Sequence, residues 1–90
     1  MNIAPALEMF NGLMYKKFYD RVEKWGEDSI TIPGNINKAS MESIKDYFDG
    51  ELEELVSATN PEDEMGECVD VANMAFLIWW KNYEDGYHGI

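Results

Sequence analysis

The sequence predicts an all-α fold, an antiparallel bundle of three main helices at about residues 5–25, 40–59 and 61–83. Apolar residues recur at intervals of three and four in each segment, which is the period of one face of an α-helix. Residues that stop or start helices stand between the segments: Gly26 after the first, Ser40 before the second and Asn60-Pro61 before the third. We therefore expect one helical domain, residues 1–90, completed by oligomerisation.

The first predicted helix is amphipathic and ends at a glycine. Its apolar positions follow the helical period: Leu7, Phe10, Leu13, Met14, Phe18, Val22 and Trp25. Gly26 then acts as a stop signal. Residues 27–39 contain Pro33-Gly34 and no helical period, which indicates a loop. We interpret this loop as a cover for the carboxylate site described below. The isoleucines of residues 30–36 alternate, so a short extended segment is the alternative.

The second predicted helix begins at Ser40, whose hydroxyl can accept a hydrogen bond from a free N–H group of the first turn. It runs to about residue 59 and carries Gly50 directly before Glu51. A glycine at this position either allows close approach of a helix or ligand, or is tolerated at a cost of up to about 1 kcal/mol against alanine. Both interpretations stay open.

The third predicted helix begins at Asn60, with Pro61 in its first position and acidic residues facing the positive end of the helix dipole. It ends near residue 83, before Gly86. Glu67 and Asp70 stand at one end of an apolar face with Val71, Met74 and Ile78, and a second apolar face lies opposite: Val69, Ala72, Phe76, Trp79 and Trp80. A helix that is apolar on two sides must be covered on two sides. We therefore expect a homodimer or homotetramer built largely on this second face.

Composition excludes several classes of protein. A formal net charge of −11, from 18 acidic and 7 basic residues, argues against a nucleic-acid polymer as partner, because such binding depends on Lys and Arg. The longest apolar run, residues 74–80, is far shorter than the roughly 20 residues of a membrane span. The N-terminus has no leader pattern, and the single Cys68 excludes an intramolecular disulfide. We expect a soluble, cytoplasmic protein.

Two pairs of carboxylates interrupt the apolar faces of the second and third helices. Glu51 and Glu54 are spaced i, i+3, as are Glu67 and Asp70, so each pair projects from one side of a helix. Because Glu51 and Glu67 stand among apolar neighbours, we expect both pairs to point inward. Converging carboxylates repel each other by roughly 4 kcal/mol per close pair at an effective dielectric constant of about 20. The four side chains therefore predict a cation site between the helices.

The predicted ligands offer only oxygen, which favours Mg²⁺, with Mn²⁺ as an alternative. Zinc and di-iron fit less well, because His88 is the only histidine and Cys68 has no cysteine or histidine partner at ligand spacing. The competing interpretation is a solvated acidic helix face. We apply it to Glu53, Glu62 and Glu64.

Basic residues concentrate in the first helix, away from the acidic segment. Four of the seven lie within nine residues of one another: Lys16, Lys17, Arg21 and Lys24. This separation favours Lys17 and Arg21 as residues that face the phosphates of a nucleotide. Ordinary surface patterning produces such clusters too, and remains the alternative.

Three further residues are candidates for binding a substrate. Trp25 can stack on a base or belong to the core. Asn73 stands one turn after Asp70 and can bind a sugar or base, or serve as a polar residue at a helix interface. Lys81 shares the helical face of Glu67 and Asp70.

The motif Glu51-x-x-Glu54, twelve residues, then Glu67-x-x-Asp70 resembles the signature of the all-α nucleoside triphosphate pyrophosphohydrolases, the MazG-like superfamily. That superfamily also holds dimeric dUTPases and phosphoribosyl-ATP pyrophosphohydrolases. The segments Glu-Leu-Glu-Glu-Leu-Val-Ser-Ala and Glu-Cys-Val-Asp-Val-Ala-Asn-Met carry the likeness, which covers about residues 40–83. One departure is Gly50, where members of the family often have a glutamate.

The resemblance implies that the four carboxylates ligate Mg²⁺ and that the chain splits an NTP or dNTP into the monophosphate and pyrophosphate. Glu54 is the candidate general base, because it lies at the rim of its helical face. A phosphoribosyl-ATP pyrophosphohydrolase-like enzyme is one alternative. A non-catalytic acidic module that binds a protein through the apolar face of the third helix is another.

Overall fold

The computed structural model describes residues 1–25 and 34–88, and the side chains of all of these except residues 21–25. Four helices are present in these ranges, and no strand: α1 (Ile3–Trp25), α2 (Asn35–Lys38), α3 (Met41–Ser57) and α4 (Pro61–Glu84). The predicted all-α fold class is therefore confirmed, and the three main helices lie within two residues of their predicted ends. No helix of the described segments is long and apolar enough to cross a membrane.

Side-chain caps set the starts of α3 and α4, as the sequence predicts. The Ser40 hydroxyl accepts a hydrogen bond from the backbone N–H of Ser43 at 3.1 Å. The Asn60 side-chain oxygen accepts one from the backbone N–H of Asp63 at 2.9 Å, and Pro61 occupies the first turn. These bonds satisfy N–H groups that have no partner within their own helix.

The segment predicted as a loop, residues 27–39, contains a short helix in its described part, so that prediction was wrong for residues 35–38. Gly34 has φ of 89°, a left-handed conformation that glycine adopts without strain, and it turns the chain into α2. Ile36 is buried at 1% exposure and anchors this helix to the core. Three sequence predictions lie outside the described residues: the stop at Gly26, the loop residue Pro33 and the extended alternative around Ile30 and Ile32.

Helix α4 is the centre of the bundle, because α1, α2 and α3 all pack against it. The short connection from Ser57 to Pro61 makes α3 and α4 antiparallel. The buried core lies between α2, α3 and α4: Ile36, Ile44, Met74 and Leu77, with Phe18, Ala39, Phe48, Ile78 and Trp80 packed around it.

The second apolar face predicted on the third helix is divided between core and surface. Val69 is only 3% exposed, and Trp80 packs against the core, so neither is available to a second copy of the chain. Phe76 and Trp79 remain 37% and 48% exposed. The prediction was therefore wrong for Val69, which is buried, and for Trp80, which packs against the core between α2, α3 and α4, while the oligomer itself stays a prediction.

Candidate metal centre

Three of the four predicted ligands meet across α3 and α4. One carboxylate oxygen from each of Glu51, Glu54 and Glu67 lies within 4.8 Å of the other two. Glu51 and Glu54 stand one turn apart on α3, and Glu67 reaches them from α4. Oxygen ligands of an octahedral Mg²⁺ stand about 3–4 Å from each other, given bonds of roughly 2.0–2.1 Å. Small side-chain movements would therefore bring these three oxygens to one ion.

Glu67 is the electrostatically strained member of this cluster. Burial raises its pKa above the ordinary 4.5, and the negative charges of Glu54 and Asp70 and a hydrogen bond with Glu54 raise it further. The positive charge of Lys17 acts in the opposite direction. Its Oε2 atom is buried and has no hydrogen-bond partner among the described residues. A buried carboxylate oxygen of this kind fits a cation as its partner.

The fourth predicted ligand, Asp70, faces a lysine. The Lys17 ammonium donates to Asp70 Oδ1 at 2.8 Å and to the backbone oxygen of Gly66 at 3.1 Å. Lys17 belongs to α1, so this contact ties α1 to α4 beside the three glutamates. The lysine was predicted to face substrate phosphates. In the structure its ammonium contacts Gly66 and Asp70, which lie before and after Glu67 on α4. An ammonium has three N–H donors, and these contacts use two of them.

The remaining predicted substrate residues lie apart from the cluster or outside the described side chains. Asn73 is buried in the α1–α4 interface at 2% exposure, where its amide donates to the backbone oxygen of Met14 at 3.5 Å. That is the interface position weighed as its alternative. Lys81 pairs with Asp85 at 3.6 Å, and 14 residues of helix separate it from Glu67 by about 21 Å along the axis. The structure does not bring Lys81 to the glutamates.

The backbones of Arg21 and Trp25 lie in the last turns of α1, and their side chains are not described. Their predicted roles in binding phosphate and stacking on a base stay predictions.

An open pocket of about 460 Å³ adjoins the cluster along α3. It is lined by residues of one face of that helix: Ser43, Asp46, Tyr47, Gly50, Glu51 and Glu54. The sequence prediction missed Ser43 and Asp46, although their helical spacing from Glu51 and Glu54 is the signal that could have found them. Tyr47 lies one turn from Glu51 on this face and is 66% exposed.

Gly50 contributes open space to this pocket. A Cβ atom built on Gly50 would meet no described atom within 4 Å, so close packing in these ranges does not require a glycine. The missing side chain instead leaves room beside Glu51 and Glu54.

Compared with protein-family models, with curated proteins and with solved structures, the chain matches none. The fold and the site themselves define an all-α helical bundle that brings three glutamate carboxylates together beside an open pocket.

Proposed function

We propose that the chain is an Mg²⁺-dependent nucleoside triphosphate pyrophosphohydrolase, which hydrolyses an NTP or dNTP to the monophosphate and pyrophosphate. The observation that carries the proposal is the convergence of Glu51, Glu54 and Glu67 from two helices on one small volume. Their spacing in the sequence, which resembles the MazG-like signature, supports the same reaction.

The three glutamates suit a hard divalent cation. All the donors are carboxylate oxygens, which Mg²⁺ and Mn²⁺ prefer. Glu51, Glu54 and Glu67 would bind the ion. Asp70 would lie just outside these three ligands, oriented by its hydrogen bond from Lys17. When bound, the cation would neutralise triphosphate charge and lower the pKa of the attacking water.

Glu54 is the residue assigned to move the proton. It is the exposed member of the three, so water reaches its carboxylate. The oxygen of an attacking water forms a bond to the α-phosphorus, while the bond from that phosphorus to the α–β bridging oxygen breaks. Pyrophosphate leaves with that electron pair, and the Glu54 carboxylate accepts the proton of the water.

The pocket along α3 and the Lys17 ammonium would bind the nucleoside and a phosphate of the substrate. The groove along α3 reaches about 16 Å from Glu54 to Ser43, which gives the nucleoside a surface next to the phosphates. The remaining N–H donor of Lys17 is assigned to a phosphate oxygen. We propose that the active unit is a homodimer or homotetramer.

The test is pyrophosphate release from a panel of nucleotides, including phosphoribosyl-ATP, with and without Mg²⁺. Glu67→Gln keeps the side-chain shape but removes the charge of one ligand, so the rate should fall at least about 100-fold. Glu53→Gln, an exposed residue of the same turn as Glu54, is the matched control and should retain the wild-type rate. Hydrolysis that needs no divalent cation, or a fully active Glu67→Gln protein, would contradict the proposal.

A further inference from the structure

The open pocket along α3 has a carboxylate at the end that lies away from the glutamate cluster. Asp46 lines this end together with Ser43 and Tyr47, while Glu51 and Glu54 line the other end. About 12 Å of helix separate Asp46 from Glu54 along the axis. No described residue forms a hydrogen bond or an ion pair with the Asp46 side chain. Its carboxylate is therefore available to a ligand in the pocket.

The charge of Asp46 determines which way a nucleotide lies in this pocket. The Asp46 carboxylate repels phosphate groups, whereas a cation bound by Glu51, Glu54 and Glu67 would attract them. The triphosphate therefore belongs at the glutamate end and the base at the Asp46 end. Between the two ends, a Cβ atom built on Gly50 would meet no described atom within 4 Å, which leaves room for the sugar.

Tyr47 offers the base an aromatic surface. Its side chain lines the same end of the pocket as Asp46 and is 66% exposed. An aromatic ring stacks on any base, because every base has a π-face. Tyr47 therefore favours binding of a base without choosing between bases.

The Asp46 carboxylate distinguishes bases by the groups on their Watson–Crick edges. An ionised carboxylate accepts hydrogen bonds through two oxygens and donates none. Guanine presents two adjacent donors, N1–H and the 2-amino group, which match these two oxygens. Adenine and cytosine present one donor beside a bare nitrogen acceptor, and thymine and uracil present one donor between two carbonyl oxygens. In those four bases an acceptor faces the carboxylate and repels it.

We propose that this pocket binds guanine, so that GTP or dGTP is the substrate of the hydrolysis. The inference rests on the proposed function, because the cation at the glutamates places the phosphates. The Asp46 carboxylate accepts hydrogen bonds from N1–H and from the 2-amino group, and Tyr47 stacks on the ring. The Ser43 hydroxyl, one turn before Asp46, donates to the O6 oxygen of guanine, which a carboxylate cannot bind.

The first test is pyrophosphate release in Mg²⁺ from dGTP, dATP, dCTP, dTTP and dITP. The base of dITP differs from guanine only in lacking the 2-amino group. Because one bidentate pair accounts for the preference, kcat/KM for dGTP should exceed that for each of the others at least about 10-fold.

Asp46→Asn tests the assignment of the carboxylate. The amide keeps the shape but presents a donor beside an acceptor, which matches adenine and cytosine instead of guanine. The ratio of kcat/KM for dGTP to that for dATP should therefore fall at least about 10-fold. Tyr47→Leu should raise KM for all nucleotides alike and leave this ratio unchanged. Asp49→Asn, an exposed acid of α3 outside the pocket lining, is the matched control and should change neither quantity.

Binding of dGMP and dAMP, measured by calorimetry in Mg²⁺, needs no hydrolysis. The wild type should bind dGMP at least about 10-fold more tightly than dAMP, and Asp46→Asn should lose this preference. Hydrolysis of dATP as fast as dGTP, or a guanine preference that survives in Asp46→Asn, would overturn the inference and leave the proposed hydrolase standing. If no nucleotide is hydrolysed, the proposed function fails and binding alone decides. A dGMP preference that depends on Asp46 then supports guanine recognition, and equal binding of the two monophosphates, or binding of neither, overturns it.

Discussion

At the scale of single residues, Glu67 connects the folding of the chain to its proposed chemistry. Its carboxylate is held near Glu54 and Asp70 with one oxygen buried, and these surroundings raise its pKa. The ionised form is therefore disfavoured in the folded chain without a cation. A carboxylate that carries its charge beside other negative charges costs stability unless a positive charge neutralises it.

This raised pKa predicts how stability depends on pH. The folded state holds the Glu67 proton to higher pH than the unfolded state does, so stability falls as pH rises from about 4.5 through the raised pKa. Glu67→Gln removes this loss. Without divalent cations, the variant should gain stability relative to the wild type as pH rises, and the two should converge at acidic pH.

Chemical denaturation at several pH values in a chelator measures this difference. Glu53→Gln serves as the control, with a difference from the wild type that stays flat. If the gain in unfolding free energy of Glu67→Gln over the wild type instead shrank as pH rose, the wild-type Glu67 carboxylate would be stabilised by its surroundings, against this prediction.

At the scale of elements, α4 is the one helix of the described residues that α1 contacts extensively. The bonds from Lys17 to Asp70 and to the Gly66 carbonyl are part of the attachment of α1 to α4. It also includes the hydrogen bond from Asn73 to the Met14 carbonyl and the edge contact of Phe18 with Phe76. Because Lys17 is 37% exposed, solvent screens the ion pair, and its contribution is about 1 kcal/mol. The pair nevertheless joins α1 to α4 next to Glu67.

Lys17→Met should therefore loosen α1 more than it unfolds the chain. Backbone amides of α1 should exchange hydrogen faster, while those of α3 and of the α4 core around Leu77 change little. Lys16→Met changes the neighbouring, exposed lysine and should leave the exchange of α1 unaltered. Uniformly faster exchange in all helices would mean that Lys17 stabilises the fold as a whole.

At the scale of the whole molecule, a divalent cation should stabilise the folded chain, because only the folded state brings the three glutamates together. At ten times the dissociation constant the gain is about 1.4 kcal/mol, which raises the melting temperature of a domain of this size by roughly 5–10 °C. Thermal unfolding with Mg²⁺ and with a chelator measures it. Glu67→Gln should lose most of the increase, and equal melting temperatures for the wild type would contradict the metal centre.

Local chemistry determined much of the fold. The Ser40 cap and the Asn60-Pro61 start act on N–H groups within one turn, so they are readable from adjacent residues. The helical period likewise located the three main helices. It also placed Glu51 and Glu54 on one side of α3, because i, i+3 neighbours share a face in any helix.

Contacts between distant parts of the chain decided the rest. Glu67 joins the α3 glutamates while Asp70, on the same face of α4, meets Lys17 from 53 residues away. Helical spacing cannot separate these two acids, because their different partners depend on where α1 packs. Tertiary packing also buries Ile36 in a short helix and leaves Tyr47 exposed, since a period shows which side chains share a face and only neighbouring helices decide whether that face is covered.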